Sequence, residues 1–156
     1  LDRYYQGLIP PTGAPDERDL RLVALAGSVV AEVDAAMAQY APSAALDALW
    51  RLLEAANKYV VEVEPWSLAR RRDDPVAEER LATTMYHLAE VLRIAALVLA
   101  PFLPGTSHAM AEALGVPWAQ PGSWPSQAAW GGSRPGTRVT KGPGLFPKLE
   151  LQTPEE

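Results

Sequence analysis

Prolines cut this chain into helix-length pieces. Three stretches carry a helical period, and a proline fences each one: residues 16–40 stop before Pro42, residues 43–64 before Pro65, and residues 75–100 lie between Pro75 and Pro101. Proline disfavours helical geometry at the residue before it, yet it suits the first position of a helix. Each fence therefore closes one helix and opens the next. In the first stretch Leu22, Leu25, Val29, Val33, Ala36 and Tyr40 recur at spacings of three and four, which is one face of a helix and not a strand alternation. Asp16 is the expected N-cap, with Glu17 and Asp19 at the positive end of the dipole. Ser43 is expected to cap the second helix, whose predicted buried stripe is Leu46, Leu49, Leu53, Ala56 and Val60. Trp50 is assigned to its core, and Asn57 lies beside the same stripe. Asp74-Pro75 is a cap-plus-proline start for the third long helix, with Leu81, Met85, Leu88, Leu92, Ala95 and Leu99 as its core face. Residues Ile94 to Leu99 are apolar nearly all round, which marks the central helix of a bundle. Thr106 or Ser107 is expected to cap a last short helix through Leu114, closed by Gly115.

The predicted fold class is all-α: an antiparallel helical bundle over residues 1–114 with an extended C-terminal arm over 115–156. Residues 1–15 read as an irregular lead-in in which Leu1, Tyr4 and Tyr5 finish a helix begun upstream. From Gly115 the chain is rich in Gly, Pro, Ser and Trp, and no period holds. Trp118, Trp124 and Trp130 sit among turn residues; disordered tails are poor in tryptophan, so the arm is expected to pack back on the bundle. A short hairpin around Val139 to Phe146 and a frayed end over Leu151 to Glu156 complete the expectation.

Composition narrows the chemistry. Cysteine is absent, which removes thiolate nucleophiles, disulfides and cysteine-type zinc sites. No signal peptide is recognisable, and the most apolar run, Ile94 to Leu103, is too short to span a bilayer, so a cytoplasmic protein without a membrane or DNA partner is expected. The net charge of −5 argues against general nucleic-acid binding but leaves room for one basic face. Arg70-Arg71-Arg72 is either that face or a solvated helix end. His87 and His108 fall on different helices without a metal-binding partner at helical spacing, and Glu78-Glu79 reads as a solvated first turn. No catalytic residue, metal site or cofactor site is expected within the segment.

Four motifs in order resemble the methionyl-tRNA synthetase family. They are Tyr5-Gln6-Gly7-Leu8-Ile9-Pro10, the pair Asn57-Lys58-Tyr59-Val60 and Glu64-Pro65-Trp66-Ser67-Leu68-Ala69, then Leu99-Ala100-Pro101-Phe102-Leu103-Pro104 with Leu114-Gly115, and Leu145-Phe146-Pro147-Lys148-Leu149-Glu150. The resemblance implies a helical anticodon-binding domain that follows a class I catalytic domain, here upstream and absent. That catalytic domain would use ATP and Mg to ligate methionine to tRNA. The implied partners are this catalytic domain and the initiator and elongator methionine tRNAs, read at their CAU anticodon. By the same resemblance Trp66 stacks on an anticodon base, while the family's Asn and Arg readers would precede Leu1. Asn57 and Pro65 are taken as structural residues of the corner, with Asn57 hydrogen-bonded there. Arg70, Arg71 and Arg72 follow on the same turn and could meet phosphates. Read on residues alone, Trp66 is the plug of the bundle end, a core residue, in preference to a stacking platform; the resemblance reverses that preference. The rivals are the equivalent domain of a synthetase for valine, isoleucine, leucine or cysteine, and a helical protein-interaction module with no RNA role.

Overall fold

The computed structural model describes residues 1–117, 126–142 and 144–146. Among these residues six α-helices follow one another: α1 (Asp2–Tyr5), α2 (Glu17–Ala38), α3 (Pro42–Val63), α4 (Pro65–Ala69), α5 (Pro75–Leu99) and α6 (Pro104–Leu114), before a 3-10 turn at Ser126–Ala128. Prolines occupy the first turn of α3, α4, α5 and α6, so the fences do start helices. Asp16 caps α2 in a capping box: its side chain accepts from the N–H of Arg18 and Asp19, while Asp19 accepts from the N–H of Asp16. Asp74 caps α5 through the Val76 N–H. Neither Ser43 nor Thr106 nor Ser107 acts as a cap. Ala41 and Leu103 stand at those N-cap positions without side-chain bonds, and Ser107 instead donates 2.6 Å across to the Ala96 carbonyl of α5.

Helix α5 is the centre. It packs against α2, α3, α4, α6 and the 3-10 turn, and is buried on nearly every side. Each large aliphatic side chain fully enclosed there contributes about 1.5–3 kcal/mol. Its length and hydropathy would also suit a membrane span, but 83% of that window is buried inside the bundle. Leu92, expected in its core face, is exposed.

The buried stripe of α3 is turned from the expected one. Ala45, Ala48, Leu49, Leu52, Ala56, Tyr59 and Val63 face the core, while Leu46, Leu53 and Val60 lie at its margin. Trp50 is 57% exposed, so it is not a core residue. Ala45 and Ala48 share one buried cluster with Ala26 and Val30 of α2, and small side chains permit close approach of packed helices. Tyr40 ends α2 in the left-handed region and is 94% exposed, not on the buried face.

The lead-in and the described arm lie together on the bundle. Ile9 packs with Tyr86 and Ala89, beside Leu1 and Val139. Leu8 forms an isolated antiparallel bridge with Arg138, and the Ile9 N–H donates to the Thr137 carbonyl. Among the described residues of 139–146 no hairpin forms; this stretch spends its backbone bonds on the lead-in and on the Ala113 carbonyl of α6. Gly7 and Gly115 adopt positive φ, and a Cβ on either would strike the carbonyl of Val139 or Arg138. Trp130 sits against the His87 ring, centroids 5.4 Å apart. Trp118, Trp124, Pro147 to Glu150 and the 151–156 tail lie outside the described residues.

Candidate functional site

Glu64 makes the corner. It ends α3 in the left-handed region (φ 51°) and at the same time caps α4. A non-glycine residue in that region costs on the order of 1 kcal/mol. The cost is met by packing: Pro65 is buried at the first position of α4, and Leu68, one turn on, lies against the main core. Trp66 and Arg70 sit four residues apart, so they share the opposite face. Trp66 is 43% exposed and is no bundle plug.

That face forms one wall of an open cleft of about 390 Å³, lined by Arg3, Tyr4, Trp66, Ala69, Arg70 and Arg72. Arg3 and Tyr4 belong to α1, which the sequence reading left outside the site. They are some sixty positions from Trp66, and no local signal connects them. The Arg3 guanidinium lies 5.8 Å from the Tyr4 ring centroid. The cleft is therefore cationic and aromatic in a chain of net charge −5.

The three arginines of the run differ. Arg70 is exposed and makes no ion pair among the described residues. Arg71 pairs with Asp74 at 2.9 Å on the surface, a bond that exchanges easily with solvent. Arg72 is engaged on three sides by Glu78, the Tyr4 carbonyl and the Tyr5 ring. Glu78 is accordingly not the solvated first-turn residue expected from its position. The Arg72 fork holds its carboxyl below the usual range, while burial and the bond to Glu78 push the Tyr5 phenol up.

Asn57 does not make the corner bond assigned to it. It is exposed on α3 and has no side-chain hydrogen bond among the described residues, because the buried stripe passes through Ala56 and Tyr59. A different knot secures the corner from below. Asp19 of α2, fully buried, accepts from Tyr59 of α3 at 2.5 Å and from two nitrogens of Arg80 of α5. His87 is a satisfied core residue, its Nδ1 2.8 Å from the Thr83 carbonyl. No group of His, Asp and Glu among the described residues is arranged to hold a metal ion.

The sequence and the helical fold both match a known family. Residues 9–156 match the anticodon binding domain of methionyl tRNA ligase. The chain belongs to that family. It is 41% identical over 153 residues to the methionine–tRNA ligase of Bacillus subtilis, covering 97% of this chain and 22% of that protein. With the Clostridium tetani methionine–tRNA ligase it shares 34% identity over 152 residues, 97% of this chain and 23% of the relative. The Mycobacterium tuberculosis methionyl-tRNA synthetase, solved in complex with methionyl-adenylate, superposes with a TM-score of 0.83 at 30% identity, over 94% of this chain and 28% of that one. The chain thus spans less than a quarter of the length of these curated relatives, and what it matches in them is the anticodon-binding domain.

Proposed function

We propose that this anticodon-binding domain reads the CAU anticodon of the initiator and elongator methionine tRNAs, as part of a longer cytoplasmic ligase that joins methionine to tRNA with ATP. The observation that carries the reading is the half-exposed Trp66 ring, fixed by Pro65 and flanked by Arg70 and Arg3 in one cleft. Anticodon bases are unpaired and can be splayed onto an aromatic face, where stacking contributes about 1–3 kcal/mol per base. Trp66 is the stacking platform in this reading. Arg70 is the phosphate contact with nothing to give up, and Arg71 can exchange Asp74 for a phosphate. The test uses Trp66→Ala and Trp66→Phe in the full-length ligase. Trp66→Ala raises the KM for tRNA on the order of tenfold or more, Trp66→Phe restores part of it, and methionine-dependent ATP–pyrophosphate exchange keeps its rate. An unfolded Trp66→Ala protein, or exchange lost in parallel, would return Trp66 to a packing role.

A further inference from the structure

Arg72, on the turn between α4 and α5, closes a small circuit that joins α1 to α5. Its Nε and one Nη grip both oxygens of Glu78, at 2.6 and 2.8 Å. The other Nη donates to the Tyr4 carbonyl at 2.7 Å, and the guanidinium lies 5.0 Å from the Tyr5 ring centroid. The Tyr5 hydroxyl donates to Glu78 at 3.0 Å, completing the circuit. Tyr4 belongs to the C-terminal turn of α1, where carbonyls lack intrahelical partners and the dipole is negative. Arg72 is thus a helix cap supplied from the corner, and Glu78 holds it from the first turn of α5. Helix α1 has four residues and cannot hold its own geometry. What sets its direction is this circuit and the packing of the lead-in, and it is α1 that carries Arg3 and Tyr4 into the Trp66 cleft.

We infer that Arg72, Glu78 and Tyr5 are positioning residues for RNA recognition: they fix α1 against the Trp66 corner and do not themselves meet the RNA. The inference rests on the proposed reading of the Trp66 cleft. It differs from a phosphate role for Arg72 in the sign of one substitution. If Arg72 met a phosphate, Glu78→Gln would release it from a competing carboxylate and tighten tRNA binding, and Arg72→Lys would keep the charge and most of the affinity. A positioning circuit loses its geometry in both variants, because lysine cannot hold a carboxylate bidentately and cap a carbonyl together.

The experiment measures tRNA KM, ATP–pyrophosphate exchange, salt dependence and melting temperature for Tyr5→Phe, Glu78→Gln, Arg72→Lys and Arg72→Ala in the full-length ligase. Glu78→Gln and Tyr5→Phe are expected to raise the KM for tRNA about three- to tenfold, with Arg72→Lys no better than Arg72→Ala. Exchange stays at the unsubstituted rate, and the slope of log affinity against log salt stays unchanged, since no phosphate contact is removed. Tighter or unaltered binding in Glu78→Gln, retained affinity in Arg72→Lys, or a slope lowered by about one in Arg72→Ala overturns the inference. So does a KM that rises only in proportion to lost melting temperature, with the mild Tyr5→Phe silent. Trp66→Ala, run alongside, separates the two levels. Silence there sinks the reading of the cleft itself, whereas a Trp66 effect with a silent circuit sinks only the positioning role.

Discussion

Asp19 is a charged group with no solvent exposure. Burial alone would push its pKa up, but hydrogen bonds from Arg80, Tyr59 and the Asp16 N–H outweigh that and hold it at about 2, against 3.8 ordinarily. A carboxyl depressed on folding stabilises in full above its ordinary pKa and loses that contribution as pH falls toward the folded value. Acid should therefore weaken the domain between about pH 4 and pH 2. Asp19→Asn removes the nearer of Arg80's two carboxylate partners and leaves Asp16 at 3.4 Å, and it is expected to cost about 1.5–3 kcal/mol at pH 7 in urea unfolding, as loss of hydrogen bonds to a charged group does. The variant should also lose the steepest part of the acid limb; an unaltered limb would assign it to other carboxylates. The sequence made Asp19 legible only as a first-turn acid. Its partners come from 40 and 61 positions away, and such distances leave no local pattern. Trp66 was more legible because its exposure follows from a local cause, the proline that starts α4.

The helices themselves were written in the prolines, and α2, α3, α5 and α6 stand close to their expected bounds. Faces were harder to read. Periodicity ranks side chains by hydrophobicity, whereas close helix packing also admits small ones, and Ala45 and Ala48 lie inside with Trp50 outside. The polar core of α5 was also hidden. Glu90 and Arg93 pair at 2.9 Å in the interior, where Glu90 accepts from the N–H of Gly131, Gly132 and Ser133 and Arg93 donates to the carbonyls of Gln127 and Ala129. Burial opposes ionisation of Glu90, and Arg93 with these donors holds it below the usual carboxylate range. A buried pair with no further partners is costly, so this one depends on the arm. Truncation after Leu114 should thus strand both charges and uncover Ile9 and Tyr86, lowering the melting temperature by several degrees. An equal melting temperature would mean that residues 126–142 contribute nothing to the bundle.

At the level of the molecule, a cationic cleft sits in an acidic chain, so the proposed RNA affinity should come from a few local contacts and fall with salt at a slope set by that small number of phosphates. The chain alone is expected to show no ATP–pyrophosphate exchange, since what it matches in its relatives is the anticodon-binding domain; measurable exchange in the purified chain would contradict this. Much of the family resemblance was legible because the motifs at residues 5–10, 64–69 and 99–104 fall at helix boundaries, where backbone geometry restricts the choice of residue. Helix α1 escaped notice as part of the site because a lead-in so far from Trp66 has no sequence signature of where it returns. That return also has a history in time. Arg138 reaches the Gln6 carbonyl across 132 positions, so the lead-in cannot be clamped until Arg138 has left the ribosome. Helices α2 and α3 pair through a three-residue turn and can form early, as local contacts do. Closing the long loop comes afterwards and adds little entropy cost for its length. The clamp on the lead-in is thus among the last contacts of the domain to be completed during synthesis, whereas the circuit that holds α1 at the Trp66 cleft closes within residues 4–78 and can form before it.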